Sequence, residues 1–398
     1  MELADKGACT GCRACAYVCP KKCISFEPDG TFGIAYPTID DRLCIDCGKC
    51  RTYCPALNPL ENAEPMQAYA AWSSNAEERR TSASGGIAAE IYKYAIANGW
   101  MIVGAAFSDN FEVKLKLADS VEAIKDFKNS KYVFSSTADV YQDIDKKLKS
   151  GRKIAIIALP CQIAAFKKVF HKYTDNLLLV DLVCHGTTPQ SYLDQHIQHI
   201  ENKCGEIASC MSFRDPAFST DTFTFTLYNA VGHRFYSKRT KDGDGYQVGY
   251  HRMISYRENC YHCPFAKEQR VSDLTISDYK GLGTLAPTCI MDSRNVSSVL
   301  VHTQKGDSVI RYMIKAGAII AEERPVREPI QGDEQLRYPT KKTAARKIFE
   351  RKILSYKGDF EQAICPVVSY VFCQEYLHKV ISAPKKIIRK ILHFLNRE

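Results

Sequence analysis

Cysteines spaced like metal ligands dominate the first part of the chain. Nine of the 18 cysteines lie within the first 54 of the 398 residues. No apolar segment at the N-terminus has the pattern of a secretory signal, so we expect a cytoplasmic protein, in which structural disulfides are rare. These cysteines therefore indicate bound metal. Eight of them form two runs of identical C-x2-C-x2-C-x3-C-P spacing, at Cys9, Cys12, Cys15 and Cys19 and at Cys44, Cys47, Cys50 and Cys54.

The spacing of these runs favours iron–sulfur clusters over zinc. Zinc sites prefer two C-x2-C pairs, which the doubled four-cysteine run fits poorly. The run is typical of bacterial ferredoxins, in which the fourth cysteine of each run binds the cluster of the other run. The ninth thiol, Cys23, has no ligand position and is expected to be a small buried residue. We expect one 4Fe-4S cluster on Cys9, Cys12, Cys15 and Cys54, and a second on Cys44, Cys47, Cys50 and Cys19.

Four later cysteines could hold a third cluster. Cys161 and Cys184 each follow an apolar segment that has the pattern of a buried strand. Open α/β sheets place their sites at such carboxyl ends of strands. Cys260 and Cys263 form a C-x2-C pair in a polar loop. On spacing alone, unrelated buried cysteines and a zinc site on the loop pair are the alternatives.

The elements that must position these cysteines indicate a mixed α/β body after a linker at 61–65, where turn-forming residues cluster. A hairpin turn is expected at Val231 and Gly232. The strands are expected at 101–107, 113–117, 154–159, 177–183, 223–227 and 274–277. The helices are expected at 87–98, 121–126, 141–149, 163–169 and 191–202.

Small residues precede the first of these helices. Ser84, Gly85 and Gly86 lie directly before it. Small residues at a helix start leave backbone N–H groups accessible, and the helix dipole there favours a phosphate group. An ordinary helix cap is the alternative.

An ordered set of segments resembles the beta subunit of coenzyme F-420 hydrogenase/dehydrogenase. The similarity extends over about residues 1–325 and includes the ferredoxin runs. It implies a bacterial-type ferredoxin domain at 1–60 and a mixed α/β body at 66–325 that binds FAD beside a 4Fe-4S cluster. The segments that carry the resemblance are 84–86, 130–133, 159–163, 181–186, 260–266 and 270–281.

The resemblance also implies roles for individual residues. The third cluster would be held by Cys161, Cys184, Cys260 and Cys263. The flavin would lie near Ser84, Gly85, Gly86, Lys131, Arg270, Asp273 and Asp278. A solvated surface position is the alternative for Lys131, and a turn before a strand is the alternative for Asp273.

One departure from the family leaves the substrate open. Before the glycine matched by Gly281, the family commonly has a Phe-Trp pair, whereas this chain has Tyr279 and Lys280. We therefore do not carry F-420 over as the substrate. A small molecule or a glycan-related compound is compatible with the resemblance, which fixes an electron-transfer architecture and not an acceptor.

These observations predict an iron–sulfur flavoprotein oxidoreductase. Electrons would pass from the ferredoxin-type clusters through the third cluster to FAD, which exchanges a hydride with the substrate. His185 is a candidate proton donor, and its alternative role is to support the neighbouring ligand. A redox partner protein is expected, and a non-catalytic subunit that feeds electrons to a partner enzyme is the alternative function. A sensor on nucleic acid is disfavoured because the body lacks a basic patch.

The net charge of +9 belongs mainly to the C-terminal segment at 341–398, which we expect to be helical. It has 13 Lys and Arg against 5 Asp and Glu, which leaves the rest of the chain near neutral. Within it, 384–395 alternates basic and apolar pairs. At helical spacing this pattern suits either an anionic membrane surface or a helix docked on its own domain, and we favour the docked helix.

Overall fold

Strands and helices alternate along the body, as the sequence indicates. The computed structural model describes residues 3–290, 292 and 294–395, and the side chains of residues 382–395 lie outside this description. The strands are β1 (Ile24–Pro28), β2 (Ala35–Ile39), β3 (Gln67–Ser73), β4 (Met101–Phe107), β5 (Val113–Ala118), β6 (Ile154–Ala158), β7 (Leu177–Leu182), β8 (Cys210–Ser212), β9 (Thr224–Tyr228), β10 (Arg234–Arg239), β11 (Leu274–Asp278), β12 (Ser297–Val301) and β13 (Ile319–Arg324).

Helices cover both faces of the main sheet and build the C-terminal region. The α-helices are α1 (Ala14–Val18), α2 (Lys49–Thr52), α3 (Ala76–Thr81), α4 (Ile87–Ala97), α5 (Ile124–Phe127), α6 (Val140–Lys149), α7 (Pro160–Val169), α8 (Gln190–Cys204), α9 (Gly245–His251), α10 (Gln304–Lys315), α11 (Arg327–Gly332), α12 (Ala344–Ser355) and α13 (Phe360–Leu395). Short 3-10 helices lie at His171–Asn176, Thr220–Thr222, Thr240–Asp242, Glu258–His262 and Glu334–Leu336.

The centre of the body is an eight-stranded mixed sheet with the order β13-β3-β12-β11-β7-β6-β4-β5. Strands β4, β6, β7 and β11 are parallel, and the outer strands pair antiparallel. Strand β6 is apolar throughout because its side chains alternate between two cores. Ile156 packs in the core that contains Phe166 of α7, and Ile157 packs in the core that contains Ile91 of α4. Both faces of the sheet are therefore buried.

The pairing of β6 with β7 sets the position of the site. Ala158 near the end of β6 lies opposite Asp181 near the end of β7. Because the two strands are parallel neighbours, their carboxyl ends meet at one edge of the sheet. The residues that follow, including Cys161 and Cys184, therefore leave the sheet at the same edge.

The N-terminal module is built around a hairpin of β1 and β2. Its two cysteine loops follow the same path. The residue before the second cysteine of each run has a left-handed conformation, at Gly11 (φ 72°) and Asp46 (φ 52°). The residue after it does so too, at Arg13 (φ 59°) and Gly48 (φ 72°). Such turns let three thiols of one loop face a common centre.

The module is fixed to the body by one of its own cysteine loops. The carbonyl oxygen of Cys12 accepts hydrogen bonds from Thr137 Oγ1 and from the Tyr141 hydroxyl, both at 2.8 Å. Tyr17 of α1 stacks on Tyr141 with ring centroids 5.1 Å apart. A buried residue of the body, Arg257, donates from Nη1 to the Thr10 carbonyl at 2.8 Å. The inner face of the module is thus continuous with the body.

A second lobe holds a buried histidine between two acids. The three-stranded sheet β10-β9-β8 packs with α8, α9, α12 and α13 around an aromatic core. In it, His196 Nε2 lies 3.2 Å from Asp244 Oδ2, and His196 Nδ1 lies 2.6 Å from Glu361 Oε1. Burial alone would lower the pKa of His196, but the two carboxylates raise it to about 9.

The C-terminal segment begins as part of this lobe. Phe349, Phe360 and Val367 are fully buried in its core, so 341–398 is not a separate tail over that part. The basic stretch at 384–395, predicted to be a docked helix with a membrane surface as the alternative, lies outside the residues whose side chains are described. Within the described part of the chain, no helix combines the length and apolarity needed to cross a bilayer.

Candidate functional site

The module contains two small cavities, and each is bordered by one of the predicted sets of ligands. Cys9, Cys12, Cys15 and Cys54 border the inner cavity, next to the body. Cys19, Cys44, Cys47 and Cys50 border the outer cavity. Each fourth cysteine therefore lies with the other run, as the ferredoxin spacing predicts. Cys50 borders both cavities, so only a short path separates them.

Thiols beside the inner cavity ionise less readily than a free thiol. Burial raises the pKa of Cys12 to about 11 and also raises the pKa of Cys9. Among the described residues, no three His, Cys, Asp or Glu are arranged to bind a single ion. A four-iron cube has a different requirement, since each cysteine binds its own iron and the thiols surround the cube. The unassigned Cys23 is buried, and its Sγ lies 3.3 Å from Cys19 Sγ.

The four later cysteines come together at the edge of the main sheet. Cys161 lies in the first turn of α7, Cys184 follows β7, and Cys260 and Cys263 lie in and directly after the 3-10 helix at Glu258–His262. Burial raises the pKa of Cys161 far above its ordinary value, and the charges of the other three thiols raise it further. The charge of Cys12 also acts on Cys161, so the inner cavity of the module is adjacent to this third group.

A cavity of about 610 Å³ opens beside the third group of thiols. Its volume is within the range of sites for cofactors and drug-sized ligands. Six of the residues singled out from the sequence border it: Ser84, Gly86, Lys131, Cys184, His185 and Asp278. Three others, Gly85, Arg270 and Asp273, do not border it.

The walls of the cavity combine aromatic rings with cations. Tyr132 stacks on Tyr250 with centroids 4.3 Å apart. Arg214 is buried, lies over the Phe223 ring, and pairs with Asp278 at 3.3 Å. Flat rings and guanidinium or ammonium groups are the surfaces that a planar heterocycle and a diphosphate require.

Lys131 lies in the cavity wall and not on the outer surface. Its Nζ donates to the Lys128 carbonyl at 2.8 Å and lies 5.5 Å from the centre of the Phe107 ring. Burial lowers the pKa of Lys131 to about 7. An anion in the cavity would favour the charged ammonium, so the position suits a phosphate.

The three small residues before α4 do not all border the cavity, as the flavin site predicted from the resemblance would require. Ser84 donates from its hydroxyl to the Val296 carbonyl at 3.2 Å, so this group is already bonded within the protein. A Cβ at Gly85 would overlap the Ala71 carbonyl oxygen and lie 2.9 Å from the Ser297 nitrogen. Gly85 therefore lets the loop pack on the sheet, and Gly86 brings the start of α4 to the cavity.

Asp273 lies at the end of the sheet opposite to the cavity. Its Oδ2 accepts from the Leu179 N–H at 2.8 Å, and its Oδ1 accepts from Thr303 Oγ1 at 2.7 Å. The residue precedes β11, whereas the cavity lies at the carboxyl end of that strand. The structure therefore gives Asp273 the role of a turn residue before a strand.

His185 belongs to a cluster that the sequence did not indicate. Lys280 Nζ lies 2.9 Å from His185 Nε2 and 3.0 Å from Asp333 Oδ2. Burial would raise the pKa of Asp333, but His185 and Lys280 lower it to about 2. All three side chains border the cavity. Asp333 lies in no motif, and no sequence signal pointed to it.

Two segments of the chain match known families. Residues 151–326 match the family described as the C terminus of the coenzyme F420 hydrogenase/dehydrogenase beta subunit. Residues 8–58 match the 4Fe-4S dicluster domain. These matches confirm the ferredoxin-like region and the resemblance found in the sequence.

One curated protein and one solved structure illustrate the similarity. The coenzyme F420-dependent sulfite reductase of Methanocaldococcus jannaschii is 26% identical over 179 residues, which are 42% of this chain and 26% of that protein. The chain thus spans about a quarter of the length of this relative. A chain of the F420-reducing NiFe hydrogenase complex from Methanosarcina barkeri aligns with a TM-score of 0.44 and 18% identity, over 76% of this chain and 91% of that chain.

Proposed function

We propose that this chain, whose residues 151–326 match the family described as the C terminus of the coenzyme F420 hydrogenase/dehydrogenase beta subunit, is an iron–sulfur flavoprotein oxidoreductase. The iron–sulfur part follows from the dicluster match. The proposal adds a third 4Fe-4S cluster on Cys161, Cys184, Cys260 and Cys263, and FAD in the large cavity. The substrate is left open, and F420 is one candidate among others.

One observation carries this proposal. Four thiols from three separate parts of the chain meet where the module contacts the body, and one of them, Cys184, also forms part of the cavity wall. A cluster held there would lie between the inner cavity of the module and a ligand in the large cavity. This arrangement supports a path for single electrons that ends at a two-electron cofactor.

The residues of the cavity fit FAD. Lys131 and Arg214 supply positive charge for a diphosphate, and Tyr132 and Tyr250 supply flat apolar surface. When bound, FAD supplies the conversion between one-electron and two-electron transfer. The protein would bind and orient it, and His185 would hold a proton for the substrate at the cavity wall, where its Nε2 lies 2.9 Å from Lys280 and 3.5 Å from Asp333.

The alternative function is a subunit that passes electrons to a partner enzyme. The outer cavity of the module supports a protein partner, because Cys47 beside it is exposed. Leu43 and Ile45 flank Cys44 and are 54% and 56% exposed. Apolar side chains around an accessible redox centre suit a transient docking site. The oxidoreductase and the electron-transfer subunit would both meet a redox partner at the outer cavity of the module. They differ in whether the large cavity binds a substrate.

Metal and flavin analysis tests the proposal. The full chain is purified anaerobically, and iron, sulfide and released flavin are measured per chain. We expect roughly twelve irons and one FAD, and the double variant Cys260→Ser/Cys263→Ser should lose about four irons and keep the flavin. About eight irons without flavin, or F420 released in place of FAD, would contradict the proposal.

A further inference from the structure

One buried arginine near the third group of thiols has a guanidinium without hydrogen-bond partners in the described structure. Arg270 is 3% exposed, and its Nε, Nη1 and Nη2 make no hydrogen bond in the described structure. Its backbone is fixed, since it exchanges two hydrogen bonds with Ala63 of the linker, at 2.7 and 3.0 Å. The backbone is therefore fixed, while the buried guanidinium has no hydrogen-bond acceptor among the described residues.

The nearest carboxylate does not satisfy this guanidinium. Asp181 Oδ2 lies 3.7 Å from Arg270 Nη1, which is beyond hydrogen-bonding distance. That oxygen already accepts from Ser272 Oγ at 3.0 Å, and Asp181 Oδ1 has no partner. A guanidinium stays charged in proteins, so it cannot relieve the cost of burial by losing its proton.

Another buried arginine of this chain has a guanidinium that is hydrogen-bonded within the protein. Arg324 is also almost fully buried, but it donates to Glu322, Glu328 and the carbonyls of Ala286 and Pro287. The contrast indicates that the guanidinium of Arg270 is available to an acceptor that the surrounding residues do not supply. The large cavity does not supply it, since Arg270 does not border that cavity.

Arg270 lies at the edge of the sheet where the third group of thiols meets. Its Nη1 is 3.7 Å from Oδ2 of Asp181 near the end of β7, and Asp181 lies opposite Ala158 at the end of β6. Cys161 and Cys184 follow these two strands, so the guanidinium lies near the ends of the strands that lead to both thiols. Sulfur in a metal cluster carries negative charge and accepts N–H donors.

We propose that the guanidinium of Arg270 donates hydrogen bonds to the sulfur atoms of the third 4Fe-4S cluster and raises its reduction potential. The inference rests on the proposed function, because it requires that cluster. Reduction adds one electron, and hence one negative charge, next to a fixed cation that is shielded from water. The cation stabilises the reduced state more than the oxidised state. Arg270 itself is neither reduced nor deprotonated in this step.

An EPR-monitored redox titration of the full chain tests this role. The signal of the third cluster is identified as the one lost in Cys260→Ser/Cys263→Ser. We expect Arg270→Gln to keep about twelve irons and to lower the equilibrium constant for reduction of this cluster at least tenfold, which is 59 mV for one electron. Arg324→Gln removes a buried arginine elsewhere and should leave the potential unchanged.

The outcomes separate this inference from the proposed function. If the wild-type chain has about eight irons and the double cysteine variant loses no signal, the proposed function fails. If the third signal is present and Arg270→Gln titrates like the wild type, the inference about Arg270 is overturned. If Arg270→Gln loses iron, the reduction potential of the third cluster is measured in Arg270→Lys instead. Its ammonium keeps the charge without the planar set of donors, so we expect a lower potential, and a wild-type value would overturn the inference.

Discussion

The buried His196 predicts a stability that depends on pH. Its ring lies between Asp244 of the loop before α9 and Glu361 of α13, at 3.2 and 2.6 Å. The two acids raise its pKa from 6.5 to about 9. A raised pKa means that the folded state binds the proton more tightly than the unfolded state does. The resulting stability is fully present below pH 6.5 and is lost as the pH rises through about 9.

The size of the effect follows from the two pKa values. One pKa unit corresponds to about 1.4 kcal/mol, so a change from 6.5 to about 9 corresponds to about 3 kcal/mol. We expect His196→Gln to lower the free energy of unfolding by about 3 kcal/mol at pH 6. At pH 9 most of the wild-type contribution is gone, and the gap should fall below about 1 kcal/mol.

Anaerobic urea unfolding, followed by circular dichroism at pH 6 and pH 9, measures this gap. His199→Gln is a matched control because His199 lies one turn further along α8 and is exposed. Its free energy of unfolding should track that of the wild type at both pH values. A gap between wild type and His196→Gln that is equal at pH 6 and pH 9 would refute the reasoning.

Three further predictions concern the cofactor sites. Cys54→Ser should remove the cluster of the inner cavity and Cys19→Ser that of the outer cavity, at a loss of about four irons each; if EPR shows that both variants lose the same signal, the crossed assignment is wrong. Lys131→Met should reduce the flavin that remains bound after gel filtration and leave the iron content unchanged, and unaltered flavin binding would count against a phosphate contact. In Gly186→Ala the new Cβ would lie 2.6 Å from Tyr256 Cε2 at a φ of 145°. We therefore expect the variant to lose about 1–3 kcal/mol of stability and the iron of the third cluster. A variant with the stability and iron content of the wild type would contradict this prediction.

The central strands could be predicted because β4 and β6 are apolar throughout, β7 is apolar except for Asp181, and β11 alternates apolar with polar residues at Leu274–Ser277. β4, β6, β7 and β11 all begin and end within one residue of the predicted ranges. β3 was missed, since its alanine-rich sequence, Gln67–Ser73, has neither a helical nor a strand period. It becomes a strand because it is paired on one side with β12 and on the other with β13, more than 200 residues away.

The thiols of the site could be predicted, whereas most of its other residues could not. Spacing alone was enough for the two sets in the module, because all their ligands lie in one short segment. Lys131 was found only through the resemblance, and Arg214, Tyr256 and Asp333 were not found at all. They reach the cavity from separate elements and lie in no motif, so only the tertiary structure brings them together.

The hydrogen bonds from Thr137 and Tyr141 to the Cys12 carbonyl have a kinetic consequence. A separate ferredoxin must find its acceptor by diffusion, at a rate that falls with dilution. Here the inner cysteine loop is docked beside Cys161, so under the proposed function electron transfer between the clusters held there would be a first-order step at any protein concentration. Dilution would slow only the encounter between the redox partner and the outer, exposed end of the module. The dependence of the rate on protein concentration would therefore show whether this encounter or the transfer within the chain limits turnover.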